Sequence, residues 1–243
     1  MYQIITKDKT TRADISDIGA TVKTFTIAET NILYPWKDLG NKKRGGSPIC
    51  SPYFGEPGGK KRHGFLRDTK ATGSRIILPD RVKMTFLSKA DNIYPWSLKH
   101  EVIAVVEKNT FSTSLRITNQ TEERAPGNPG FHPYFTCENA QMVAVHIGGR
   151  EYSDFSEKIR IIALPKEASN SISIVMPNRI ITMDLEGNFS YLHSHIGLWT
   201  DARDRVCVEP ILYHPDLFAT NEGGWMEEYG YIDISMKLSV KFT

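Results

Sequence analysis

Three short islands of this 243-residue chain carry side chains that could move protons or hold an anion. They are His63-Gly64-Phe65-Leu66-Arg67, Pro129-Gly130-Phe131-His132-Pro133-Tyr134-Phe135 and Cys207-Val208-Glu209-Pro210. Each sets an ionisable group among aromatic residues, glycine or proline. Neutral imidazoles and a carboxylate gathered in one cleft can pass protons at neutral pH without a metal cage. The islands therefore point to acid–base chemistry on a small polar substrate.

The local pattern says how each group could be presented. In Arg205 to Glu209, strand alternation turns Val206 and Val208 one way and Arg205, Cys207 and Glu209 the other. A carboxylate on the inner side of a concave sheet must be solvated or hydrogen-bonded, and beside a hydroxyl it becomes a base. The same spacing fits a rim glutamate ahead of Pro210. His132 sits in an aromatic shell in which Tyr134 or Phe135 could floor a pocket for sugar C–H faces. A buried structural histidine also suits that pattern. His63 follows a basic loop and precedes a glycine, which favours solvent access. Arg67, four residues on, could give paired hydrogen bonds to an anion, or support the loop through Asp68.

The elements that must position these groups read as strands almost throughout. Short β-rich stretches are expected at 21–27, 74–78, 81–87, 101–107, 110–118, 141–147, 171–176, 180–185, 196–199, 205–209 and 231–242. In the last, Ile232, Ile234, Met236, Leu238, Val240 and Phe242 alternate with more polar residues, as on a half-buried antiparallel strand. Segments 52–61 and 122–129 are rich in Gly and Pro and read as loops. No long stretch has a helical period, so a βαβ architecture is excluded and one all-β domain over residues 1–243 is expected. Asn31-Ile32-Leu33-Tyr34-Pro35-Trp36 echoes Asn92-Ile93-Tyr94-Pro95-Trp96, a match too brief to define a repeat.

Composition narrows the partners. Thirty Lys and Arg against 28 Asp and Glu leave a formal charge of +2, with 40% hydrophobic and 24% charged residues. A nucleic-acid binder shows a stronger basic stripe, whereas here the dense basic stretches are Lys42-Lys43-Arg44 and Lys60-Lys61-Arg62. Cys50, Cys137 and Cys207 are too dispersed for a disulfide framework, and none belongs to a Cys-x-x-Cys pair. No apolar signal segment opens the chain, and no run reaches membrane-spanning length. A cytoplasmic protein with neither nucleic-acid nor membrane partners is the expectation.

Taken in order, the islands resemble the aldose 1-epimerase, or galactose mutarotase-like, superfamily, and most closely its glucose-6-phosphate 1-epimerase-like branch. The resemblance begins at Arg44-Gly45-Gly46-Ser47-Pro48-Ile49-Cys50-Ser51-Pro52-Tyr53-Phe54-Gly55. It continues through the two histidine islands and closes with Trp199 and Cys207-Val208-Glu209-Pro210. It implies a large antiparallel β-sandwich with an aldose on its concave face and interconversion of α and β anomers without a cofactor or metal. Glu209 matches the family's general base, His132 the general acid at the ring oxygen, and His63 the second histidine that orients the sugar. Arg44 and Arg67 match the basic residues associated with a 6-phosphate. Tyr134, Phe135 and Trp199 are the expected aromatic contacts.

Two departures stand out. The Glu-x-Asp-Arg-x-Tyr type segment of the phosphate branch has no counterpart, and neither Asp154 nor Asp184 is assigned its role. Ser51 precedes Pro52 where that branch often has a larger apolar residue. A carbohydrate-binding β-sandwich with weak or absent turnover is the alternative. Oligomeric state and protein partners are not legible.

Overall fold

The computed structural model describes residues 1–40, 42–56, 61–92, 94–165, 170–190, 194–216 and 224–243. Lys60, one of the expected basic-loop residues, and Ile93 of the second aromatic-proline segment lie outside them. The described chain is nearly all antiparallel β-structure.

Period-2 alternation builds the larger sheet. Its nine strands run in the order Arg150–Tyr152, Ala144–Ile147, Ser171–Met176, Arg179–Gly187, Tyr231–Phe242, Thr110–Asn119, Leu98–Glu107, Arg81–Ser88 and Gly73–Leu78. Tyr231–Phe242 lies at the centre and buries Ile232, Ile234, Met236, Leu238 and Val240, while Phe242 frays out at 42% exposed. Leu98–Glu107 buries Leu98, His100, Val102, Ala104 and Val106 on the same side. Each such aliphatic side chain contributes about 1.5–3 kcal/mol of burial free energy.

A second, six-stranded sheet faces that core and carries the chemistry. Arg205–Ile211 is paired with His195–Trp199 along one edge and with Tyr134–Thr136 and Gly130–Phe131 along the other. Ile49–Cys50 and Arg160–Ala163 complete it. Val206, Val208, Ile196, Leu198 and Phe135 join the buried cluster that extends from Ile4 to Val240. A four-stranded sheet, Tyr2–Ile5, Thr11–Ile15, Val22–Ile27 and Thr30–Asn31, closes one end, with Phe25 packed 5.5 Å from Phe111.

Most expected strands form, and further short ones, among them Ile49–Cys50, Gly130–Phe131, Tyr134–Thr136, Arg150–Tyr152 and Arg160–Ala163, were not expected; three other differences have local causes. The stretch 141–147 starts as a 3-10 turn, Ala140–Met142, because the Asn139 side chain accepts the Gln141 N–H and stops a strand there. The loop 122–129 holds a two-residue strand, Ala125–Pro126, paired with Trp225–Met226. The N-terminal strands Tyr2–Ile5 and Thr11–Ile15 were not anticipated, since each is short and flanked by charged residues. No helix among the described residues is long and apolar enough to cross a membrane.

Candidate functional site

The two edges of Arg205–Ile211 converge on one cleft. Register places Tyr134 and Trp199 on either side of Cys207, and Gly197 opposite Glu209. Val206 and Val208 point into the core while Cys207 and Glu209 point the other way, as the alternation requires. Gly197 leaves the room that the carboxylate fills. A Cβ at that position would stand 3.2 Å from Glu209 Oε2 and 2.9 Å from Ile159 Cδ1.

His132 reaches the same point from the turn before Tyr134–Thr136. Its Nε2 lies 3.2 Å from Glu209 Oε1, and both residues are deeply buried, at 9% and 1% exposed. Among the described residues Glu209 Oε2 has no hydrogen-bond partner. Burial disfavours the charged form of each group. It pushes the Glu209 carboxyl up to about 8, with Arg62 pulling weakly the other way. It lowers the His132 imidazole to about 3, and nearby arginines add to the effect. Near neutral pH the pair therefore holds one proton between its two members.

His63 is buried, 7% exposed, rather than solvent-accessible as expected, because its own backbone locks it into the wall. Its N–H donates to the Gly55 carbonyl at 2.6 Å, and the Gly55 N–H donates to His63 Nδ1 at 3.2 Å. The neutral ring, held down to about 2 chiefly by burial, thus carries its proton on Nε2. The chain takes a left-handed turn at His63 and Gly64, with φ of 63° and 67°. A Cβ on Gly64 would collide with the Ser51 carbonyl at 2.2 Å, so only glycine fits there. The rings of His63 and His132 meet edge to face at 5.3 Å, while Tyr134 stacks flat on His132 at 4.7 Å. Trp199 stands edge-on to both Tyr134 and His132.

Cations surround the opening. Arg44 donates from Nε to Asp201 Oδ2 at 2.5 Å, and its guanidinium stands 5.4 Å from the centre of the Trp199 ring. Asp201 also accepts from Arg205 Nε at 2.8 Å, and Arg205 stacks on Tyr34. Asp68 is held by Lys43 and Lys61 at 2.9 and 2.8 Å, whereas Arg67 Nε is 3.7 Å from it and without a hydrogen bond among the described residues. Arg67 thus keeps one unsatisfied buried donor and lines the cleft, whose volume is about 660 Å³.

Residues 2–194 match the aldose 1-epimerase family. The chain belongs to that family. Solved structures agree on the fold across the whole length. The Slr1438 protein of Synechocystis sp. PCC 6803 is 19% identical with a TM-score of 0.81, covering 100% of this chain and 96% of its own. A galactose mutarotase-like protein of Lactobacillus casei is 16% identical with a TM-score of 0.78, covering 99% and 100%. A GalM/aldose epimerase homologue of C. elegans is 10% identical with a TM-score of 0.78, covering 99% and 98%. No curated protein matches the chain in sequence.

Within this aldose 1-epimerase fold, seven of the eight expected site residues line one cleft: His63, His132, Glu209, Arg44, Arg67, Tyr134 and Trp199. Phe135 does not, and its expected sugar contact is corrected. It alternates with Tyr134 on the same strand, so it turns into the core with Val206 and Val208 and is fully buried. Sequence reasoning missed Trp36, Phe54, Asp201 and His214. A signal for His214 was present in the His214-Pro215-Asp216 triplet after Glu209-Pro210.

The thiols of Cys50 and Cys207 are fully buried and raised by burial, which suits small packing residues. His132, Cys207 and Glu209 do present ligand atoms within 4.8 Å of one another. A cation there would meet the field of Arg44, Arg62 and Arg67 and would have to displace a proton from that thiol. The donor set is therefore poorly suited to a divalent metal.

Proposed function

We propose that the protein is an aldose 1-epimerase that interconverts the α and β anomers of a hexose 6-phosphate by general acid–base catalysis. The observation that carries this reading is the His132–Glu209 pair at the base of the cleft, 3.2 Å apart and with Glu209 Oε2 unpartnered among the described residues.

Glu209 takes the proton from the anomeric hydroxyl while His132 protonates the ring oxygen. The pyranose opens to the free aldehyde, the C1–C2 bond turns, and closure from the other face gives the opposite anomer. The two groups then return their protons. This needs a carboxylate beside an imidazolium, which has the same proton count as the neutral pair favoured by burial. Ion-pair attraction at 3.2 Å is worth about 5 kcal/mol at an effective dielectric of about 20 and offsets roughly half of the cost of charging the two buried groups. His63 Nε2–H donates to the sugar near its ring oxygen, and Tyr134 and Trp199 supply aromatic faces for its C–H surface.

The basic rim favours a phosphorylated sugar. Arg67 Nε makes no hydrogen bond among the described residues, its nearest carboxylate being Asp68 at 3.7 Å, and Arg44 stands over Trp199 beside Lys42 and Lys43. Each charge-assisted hydrogen bond to phosphate is worth about 1.5–3 kcal/mol. The test is NMR exchange between the anomers of glucose 6-phosphate, glucose and galactose. Accelerated exchange with a preference for the phosphate supports the whole reading. Equal acceleration of glucose and its 6-phosphate removes the phosphate, and no acceleration of any sugar leaves a binding protein.

A further inference from the structure

We propose that a recess walled by Arg179 and Thr136, separate from the cleft, is a second binding site that takes a small oxyanion. The recess measures about 250 Å³ and shares no lining residue with the cleft.

Arg179 opens its strand just after the two-residue turn Pro177-Asn178, and only 3% of it is exposed. Its Nη2 donates to the Thr136 carbonyl and ties that turn to Tyr134–Thr136. Among the described residues the guanidinium makes no ion pair, and its Nε–H has no hydrogen-bond acceptor. The Thr136 hydroxyl, lining the same recess, is buried and equally without a partner.

Two orphaned polar groups buried in the wall of one recess are costly, and a buried unpaired guanidinium costs several kcal/mol more than a paired one. Both groups can donate, and one of them is a permanent cation. An oxyanion between Nε–H and the hydroxyl would satisfy both and neutralise the charge. The planar guanidinium edge suits either a carboxylate or a phosphate. The other wall groups limit the ligand to a small one. Cys137 donates its thiol proton to the Arg203 carbonyl at 3.7 Å, and its thiol is pushed up to about 11, so no thiolate competes. Glu138 also lines the recess; it is exposed and attracts the guanidinium only weakly. Its charge opposes any anion entering the mouth and so limits the affinity.

The experiment follows the Nε–Hε resonance of Arg179 in the ¹⁵N-labelled full chain, assigned through its own side-chain carbons. Inorganic phosphate and acetate are titrated separately, each against chloride at equal ionic strength. Because the probe is Arg179 itself, anion binding in the cleft does not interfere, and the outcome does not depend on the epimerase reading. The proposal expects a saturable shift with phosphate, with acetate or with both, and Thr136→Val should weaken that binding at least threefold. Phosphate alone would indicate a tetrahedral ligand, acetate alone a carboxylate. A resonance that neither anion moves, or that chloride moves equally, overturns the site. An affinity unchanged by Thr136→Val in a folded protein overturns its two-donor construction.

Discussion

Gly197 and Glu209 face each other across two paired strands, and the missing side chain of one makes the space that the carboxylate of the other occupies. A methyl at 197 would press on both Glu209 and Ile159 at distances tighter than ordinary contact. The Ile159 terminus can yield more easily than a carboxylate fixed against His132. Gly197→Ala should therefore lower kcat for anomer exchange at least tenfold while moving the urea midpoint little. A variant that keeps full turnover would show that the carboxylate does not depend on this opening.

The pair's single proton also sets a pH profile. Above about 8 the buried Glu209 loses it, leaving a base with no acid partner, so kcat should fall on the alkaline side. Toward about 3 His132 gains a second proton and the base is lost. Between these limits turnover should be broad and flat. An activity that keeps climbing through pH 9 would show that no proton held by the pair is needed.

Three buried histidines make a separate prediction about stability. His63, His100 and His132 are lowered to about 2, 3 and 3 by burial, so the unfolded chain takes up their protons first. Their stabilising effect is complete above about 6.5 and declines as pH falls from there toward 3. Each adds a slope of up to about 1.4 kcal/mol per pH unit. Glu209, raised by burial, works the opposite way between about 4.5 and 8 and subtracts one such slope. The carboxylates Asp68 and Asp201 are lowered and act only below their ordinary range. Urea midpoints should therefore drop between pH 6.5 and 4.5, and drop more steeply in Glu209→Gln. A flat midpoint across that window would be inconsistent with three neutral buried imidazoles.

Asp201 offers a test in which the sign decides. It bridges Arg44 and Arg205 and fixes Arg44 over Trp199. Asp201→Asn makes the rim more positive, which by charge alone would tighten phosphate binding. If orientation of Arg44 matters more, KM for glucose 6-phosphate should instead rise about threefold or more, while KM for glucose stays unchanged. A fall in KM for the phosphate would mean that Asp201 only screens the rim.

The fold was readable where alternation was long. Tyr231–Phe242 shows its inward face as five buried apolar residues in register, and that pattern survives in the sheet. The two histidines and Glu209 were readable because each stands in a motif of aromatic, Gly or Pro residues. Asp201 was not, because its role comes from a partner 157 residues away. Phe135 was misplaced because one residue of strand phase separates the cleft from the core, and a motif alone does not give the phase. The first aromatic-proline segment lines the cleft with Trp36, whereas Tyr94 of the second is buried and donates to the Pro126 carbonyl at 2.5 Å. Nothing local in the two sequences separates those fates.

The central claim is that Glu209 moves a proton and does not merely hold a sugar. The direct measurement is anomer exchange of glucose 6-phosphate by NMR, made alongside direct binding of the same sugar, in the native chain and in Glu209→Gln. The account predicts exchange slowed by roughly 100-fold or more, in the range for loss of a general base, with affinity changed less than about threefold. Exchange and affinity falling together by the same factor would contradict it and leave Glu209 a binding group.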